Sequence, residues 1–519
     1  MTRFAGQLRR AVPGLLVATL LALRAADAWA RAGGGNGFSG GGGSYGGGGS
    51  YGGGGGSGGG DGLGWLIWLV IEYPAIGVPV MIVVIGIVIY QKSQQAQYGG
   101  RTVARPTRRD EFQPYVERPR RADLRPEARS GVSVDGIVAL DQAFSLPIFL
   151  DMARLVYTRA MQEGHHLDVM TAWLSPPARS TISSFIGEHR VEAVCIGSTS
   201  VAGLQQVGEE HRLALDFVTN VVLAAAGGGA GTQFVRRERW TFCRRVGATS
   251  PTPDRMQELR CPSCGNPSEA RKDGTCTRCD TVINDGRLQW IVARVDVQSS
   301  EALAGLGLTL GGGVEEGTGA PTVVDPGAAV ALRRLGALDP AFRLEAFSRR
   351  TVATFLQIQA AWSAGQHEAL RPLESDFLYQ QHRYWLDRYA KEGARNCCDD
   401  VQVRKVDLVK VTVDGWVVTV TQRVFASMFD YTVDAHGTVI GGSKREKRVF
   451  SEYWTFVRSV RAKPTGTGDG AAPSQCPSCG APLDRVNEAG VCGYCEAKIT
   501  TGAFDWVLTD IQQDEVWRG

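Results

Sequence analysis

Apolar positions follow three different rhythms along this chain of 519 residues. The first is an almost unbroken run, "WLIWLVIEYPAIGVPVMIVVIGIVIY", from Trp65 to Tyr90. As a helix it would reach about 39 Å, against roughly 30 Å for the hydrocarbon core of a bilayer. Trp65, Trp68, Tyr73 and Tyr90 stand where interfacial aromatics belong, and Glu72 and Pro74 put a kink, or the start of the buried part, in its first half. A transmembrane helix is expected over 65–90. The second rhythm is helical. Leu344, Phe347, Phe355, Ile358 and Trp362 recur on one face, behind Asp339 as a cap and Pro340 at the favoured first position. A similar segment opens at Asp141, "DQAFSLPIFLDMARLVYTRAM", and a shorter helix is expected within "ESDFLYQQHRYWLDRYAKEG". The third rhythm alternates. "VQVRKVDLVKVTVDGWVVTVTQRVFASMF" reads as two strands about an Asp414-Gly415 turn, and "KRVFSEYWTFVRSV" as a third. Helices followed by consecutive antiparallel strands predict an α+β domain whose sheet curls around its helices.

Charge and composition set the topology of the N-terminal part. Residues 1–30 carry Arg3, Arg9 and Arg10, an apolar stretch from Ala11 to Leu23, and Ala28-Trp29-Ala30 as a cleavage site. That is the pattern of a secretory signal, with an uncleaved anchor as the alternative. Residues 31–64 take a large share of the 66 glycines and have too little apolar surface to offset the entropy of ordering. Arginines crowd residues 91–130, from Arg101 to Arg121, so everything after the span is expected in the cytoplasm. The same segment suits anionic headgroups, or serves only as a solvated stop-transfer flank. A net charge of +3 makes no case for nucleic acid.

The twelve cysteines are informative by position. Cys261, Cys264, Cys276 and Cys279 form C-x2-C-x11-C-x2-C, and Cys476, Cys479, Cys492 and Cys495 form C-x2-C-x12-C-x2-C. In a reducing compartment these are metal sites rather than disulfides. Four thiolates with no open position describe a closed structural zinc site; iron, as in rubredoxin, uses the same ligands. Each block runs into an apolar strand, "GRLQWIVARVDV" and "GAFDWVLTDIQ", and so reads as a zinc ribbon closed by a strand. Upstream, "ERWTFCRR" and "EYWTFVRS" stand at nearly equal distances before the two blocks. The chain is thus expected to hold two tandem copies of one unit. The first comprises a domain over 131–255 and a ribbon over 256–300. After a Gly-rich linker over 301–335, the second comprises a domain over 336–465 and a ribbon over 466–519.

Further residues of the second copy are "DPAF" at Asp339–Phe342, "IQAAW" at Ile358–Trp362, "FDYTVD" at Phe429–Asp434, "GGS" at Gly441–Ser443 and "FSEYWTFVR" at Phe450–Arg458. In these the segment from about 339 to 460 resembles the domain family named for the forty-four-kilodalton translocase tether of the mitochondrial inner membrane. Bacterial relatives also carry an N-terminal anchor, often beside a Gly-rich flank. The resemblance implies a cone similar to nuclear transport factor two, with an apolar hollow between sheet and helix. It further implies a non-enzymatic membrane adaptor that meets lipid, chaperone, ribosome or translocase components. The location implied is a bacterial inner membrane, crossed once after signal cleavage. The first copy keeps "WTF" at Trp240–Phe242 but has no counterpart to "AAW" or "GGS".

The rival expectation is a small-molecule or lipid site in the hollow, with catalysis as its strongest form. His165, His166, His367, His382 and His436 are its candidates, and no nucleophile–base–orienter spacing joins them. Asp430 and Asp434 read as turn residues. Tyr384, Trp385, Tyr389 and Trp416 are of the type that anchors interfaces, but most of them read as core. Cys195, Cys243 and the Cys397–Cys398 pair show no framework spacing, and Asp399 and Asp400 disfavour a reactive thiolate. Between the knuckles both charges mix, which argues against nucleic acid.

Overall fold

A computed structural model describes residues 134–224, 231–257, 259–267, 270–303, 313–315, 317–462, 474–514 and 517. The signal over 1–30, the Gly-rich segment, the span over 65–90 and the Arg-rich segment over 91–130 lie outside these residues. Among the described residues, no helix is long and apolar enough to cross a membrane.

The first half begins with helices α1 (Asp135–Leu140), α2 (Leu146–Glu163) and α3 (Pro176–Ile186). Strands β1 (Val191–Val207), β2 (Glu210–Leu223) and β3 (Thr232–Arg245) follow, then a short α4 (Pro253–Gln257), the first cysteine block, and β4 (Ile291–Leu303). They form one antiparallel sheet in the order β1-β2-β3-β4. The second half starts with β5 (Gly313–Val314) and α5 (Ala328–Leu338), continues through α6 (Leu344–Ala364), α7 (His367–Leu370) and α8 (Asp376–Lys391), and turns to strands. These are β6 (Arg395–Val413), β7 (Val417–Val433), β8 (Val439–Gly442), β9 (Arg448–Ser459) and, after the second cysteine block, β10 (Val507–Gln513). The sheet order is β10-β9-β7-β6, with β5 beside β9 and β8 beside β7. Both halves are α+β, as the helical and alternating rhythms predict.

The halves share one aromatic skeleton. In the first, Phe149 of α2 meets Phe242 at 5.2 Å and Trp290 at 5.1 Å, and Tyr157 meets Trp240 at 4.8 Å. In the second, Phe347 of α6 meets Phe456 at 5.3 Å and Trp506 at 4.9 Å, and Phe355 meets Trp454 at 5.0 Å. Burying such rings supplies most of the packing energy of a core this size. Arg244 reaches Asp141 at 2.7 Å over the Trp290 ring, and Arg458 reaches Asp339 at 2.8 Å over Trp506.

Local details differ from the pattern reading. Asp141 and Asp339 do not cap α2 and α6, which start after Ser145 and Arg343. Instead each carboxylate accepts the N–H two residues on, in an Asx turn, and holds its arginine. Pro340 therefore precedes the helix. The strand after each cysteine block closes the main sheet rather than the ribbon: Trp240 pairs with Val295, and Trp454 with Ile511. Asp430 is buried inside β7 and accepts from Asn396, while Asp434 makes the expected turn.

The described part of the stretch read as linker is structured. β5 runs parallel to Arg448 and Val449, and α5 packs on β6. Between them a strap lies across the second sheet, gripped by the buried Arg423. Its guanidinium donates to the carbonyls of Gly317 at 3.0 Å and Ala320 at 2.9 Å and pairs with Asp514 at 2.7 Å. Backbone carbonyls accept these bonds, so side-chain polarity gave no warning of them.

All described residues fall in one compact unit. Val417, Val457 and Val507 join the first core. The β6–β7 hairpin tip sits on the start of α2: Ser145 donates to Asp414 at 2.6 Å and the Trp416 indole to the carbonyl of Ala143 at 2.9 Å. Helix α8 lies against the first sheet, where Gln381 donates to the carbonyl of Gly197 at 3.2 Å and Tyr384 and Trp385 pack on Cys195 and Val235. Arg154 of α2 lies 3.8 Å from the Phe377 ring centroid.

Candidate metal centres

Each cysteine pair sits in a tight knuckle whose fifth residue takes a left-handed conformation. Gly265, Asp280, Gly480 and Glu496 all have positive φ, from 54° to 76°. In each knuckle that residue's N–H donates to the carbonyl of the first cysteine, at 2.8 to 3.0 Å. The turn bends the chain so that both sulfurs of a pair face one point. Two knuckles then bring four sulfurs together: in each set of four, all lie within 4.8 Å of one another. Cys261 and Cys279 are 3.9 Å apart, as are Cys476 and Cys495. That is far beyond a disulfide of about 2.05 Å and close to the edge, about 3.8 Å, of a tetrahedron with 2.3 Å metal–sulfur bonds. The eight cysteines predicted as ligands are therefore the eight that the fold gathers, and the donor set fits a metal ion.

The thiols are not equivalent. The hydrogen bond between the Cys279 sulfur and the Thr281 side chain, and another from the Thr281 backbone N–H, pull Cys279 down to about 6. The backbone N–H of Ala497 pulls Cys495 down to about 7. Burial pushes Cys261 and Cys476 up to about 12, which a bound cation would reverse.

Other candidates are scattered. His165 and His166 are exposed in a 3-10 stretch after α2, and His436 is exposed in the β7–β8 turn. His367 reaches the Tyr379 hydroxyl at 3.0 Å. His382 is buried with its Nδ1 2.8 Å from Glu374, also buried, whose second oxygen has no hydrogen-bond partner among the described residues. Cys397 and Cys398 are buried, the former beside Tyr431 and the latter in the main core of the second half. Burial pushes Cys195 well above the ordinary thiol range. Tyr389 is core, as its pattern predicts, but Tyr384, Trp385 and Trp416 are interfacial between the halves.

The second half also carries features peculiar to it. The Trp362 indole donates to Asn396 at 2.8 Å, and Asn396 donates on to Asp430 at 2.9 Å. Gly442, with φ of 73°, lets β8 close on β7, because a Cβ there would collide with the Asp430 carbonyl. Residues 328–467 match the Tim44-like domain family. The Tim44-like domain thus starts with α5, inside the stretch read as linker, and ends after β9. Trp362, which closes "IQAAW", and Gly442, the middle residue of "GGS", both lie within the match. The first half and both cysteine blocks lie outside the match. A search of curated proteins found no match to the chain.

Sequence reasoning missed Arg371, Arg423 and Asp514, all buried or nearly so. Arg371 had one signal, a charge between Leu370 and the Pro372-Leu373 pair.

Proposed function

We propose that the chain is a non-enzymatic adaptor, anchored in a bacterial inner membrane by residues 65–90. It presents two α+β units, each clipped by a structural zinc ion, to proteins of membrane transport or assembly on the cytoplasmic side. The match of 328–467 to the Tim44-like family carries this reading. The shared aromatic skeleton supports taking the first unit as a diverged copy, and both units as cones like that of nuclear transport factor two. Zinc suits four thiolates in a closed site without redox chemistry. The Arg-rich segment over 91–130 would add attraction to anionic lipid.

The interior of the second unit is packed with apolar side chains. Phe355, Ile358, Trp362, Leu378 and Trp454 form one buried cluster there. One observation favours the rival reading of a small molecule in the hollow: the His382–Glu374 pair, buried with a carboxylate oxygen unpartnered. The test is capture of the full-length protein from its native membranes in mild detergent, with proteomics and small-molecule analysis of one eluate. A translocase, chaperone or ribosomal component at near-stoichiometric yield is expected. An eluate without a protein partner but with one enriched small molecule would move the function to the hollow.

A further inference from the structure

The two cysteine clusters are joined to their units by different chemistry: the first is joined by apolar packing and the neutral Gln289, which donates to the carbonyls of Ala172 and Ile283, the second by charged side chains. In the first, Cys261, Cys276 and Ile283 belong to the main apolar core. In the second, Cys476, Cys492 and Ile499 form a small cluster of their own. The chain leading into α3 pairs Leu174 with Val292, and the chain leading into α8 pairs Glu374 with Leu508, so these two lead-in segments correspond. By that correspondence Thr171, Leu174, Pro176 and Ile182 of the first unit stand where the second has Arg371, Glu374, Asp376 and His382.

Arg371 is the bolt between the second cluster and α8. It is 1% exposed, and its guanidinium donates to the carbonyl of Glu488 at 2.8 Å, to Thr500 at 3.0 Å and to the carbonyl of Glu374 at 2.8 Å; it also pairs with Asp376. Lys498 reaches the other oxygen of Asp376 at 2.6 Å. Glu488 lies between the two knuckles of the second cluster, and Lys498 and Thr500 just after them. Gly490, two residues after Glu488, has φ of 74°, and a Cβ there would also run into Thr500 and Arg371. The closed knuckles therefore hold the groups that hold Arg371, and Arg371 holds the first turn of α8. The outer face of α8 is the one that carries Gln381, Tyr384 and Trp385 against the first sheet.

We propose that metal occupancy of the second cluster, but not of the first, controls the docking of the two units by fixing the start of α8. The asymmetry is one of solvation. When the knuckles of the second cluster open, Arg371, Asp376 and the unpartnered oxygen of Glu374 gain water, which offsets the bonds they lose. When the knuckles of the first open, Leu174, Ile182 and Ile283 would have to meet water, so the segment leading into α3 stays packed.

This inference rests on the reading that both clusters hold a metal, so metal content is measured first, on the full-length protein in detergent, by elemental mass spectrometry. Protein purified without metal overturns that underlying reading before any variant is compared. Hydrogen exchange is then followed in 376–391 and 191–199, the two sides of the interface. Cys479→Ser is expected to lose one metal and to speed exchange in both segments by at least about tenfold, the loss of one charge-assisted hydrogen bond. Cys264→Ser is expected to lose one metal and leave both segments slow. Arg371→Met is expected to keep both metals and still exchange fast, and it carries the test alone if Cys479→Ser does not fold. Slow exchange in metal-depleted Cys479→Ser or in Arg371→Met, or equally fast exchange in Cys264→Ser, overturns the proposal.

Discussion

The two sheets differ most on the face turned away from their long helices. On the first sheet that face carries Cys195 and Val235 and is covered by Tyr384 and Trp385 of the other unit. On the second it is covered by the unit's own chain: the strap from Gly317 to Thr322, and the C-terminal Trp517, stacked on Tyr453 at 4.6 Å and donating to the carbonyl of Val323 at 3.4 Å. A sheet face that cannot meet water needs a cover. The first half takes its cover from the other half, and the second takes it from the strap and Trp517. On that face the second unit covers itself, whereas the first is covered by its neighbour.

The largest test of that contrast is Arg423→Met. Removing one partner of a buried ion pair costs about 3 to 5 kcal/mol, because the other is left uncompensated. Here the carbonyls of Gly317 and Ala320 lose their donor as well. The expected outcome is a clear fall in the melting temperature of the full-length protein, with exchange accelerated in 317–325 and β7 and unchanged in β1 and β2. Equal acceleration in both sheets would mean that the strap is no private cover of the second.

These covers mark the limit of what the sequence makes legible. The likeness of the two halves is written in side chains, since Trp240 and Trp454, Trp290 and Trp506, and the eight cysteines recur at matching places and make matching contacts in each half. The Asp414-Gly415 hairpin is legible for the same reason, as turn chemistry is local. The strap is illegible because its acceptors are backbone carbonyls, which every residue has. Its donor Arg423 lies about a hundred positions away, in a strand where a charge reads as solvent-facing. The interface between units is illegible because Tyr384 and Trp385 are aromatics on an amphipathic helix, and nothing in their spacing distinguishes a core of one's own from a neighbour's sheet. Asp430 went the same way: beside Tyr431 and Asp434 it looks like turn chemistry, and its partners, Asn396 across the sheet and Arg448 at 3.7 Å, come from other strands.

A second, smaller perturbation acts on the first unit's cover. Trp385→Ala removes a partly buried ring, so about 2 kcal/mol is expected, against about 3 to 5 for a fully buried one. Denaturant titration of the full-length protein measures it. The location of the effect decides more than its size: exchange should rise in β1 to β3 while the Arg423 strap stays protected. A response confined to α8 would mean that the first sheet does not need its neighbour.

The smallest effect asks whether the hairpin tip docks or merely abuts. Ser145 donates to Oδ2 of Asp414, while Oδ1 of the same carboxylate accepts the N–H groups of Trp416 and Val417. Ser145→Ala therefore removes the bond between units and leaves the turn intact, for about 1 kcal/mol. Asp414→Ala removes both. In that background Ser145→Ala should add almost nothing, so the double-mutant cycle returns the inter-unit bond alone. A coupling near the full single-mutant effect would show that the tip is bonded to the first unit in solution. Identical losses in the two backgrounds would show that Ser145 acts only on the start of α2 and not across the interface.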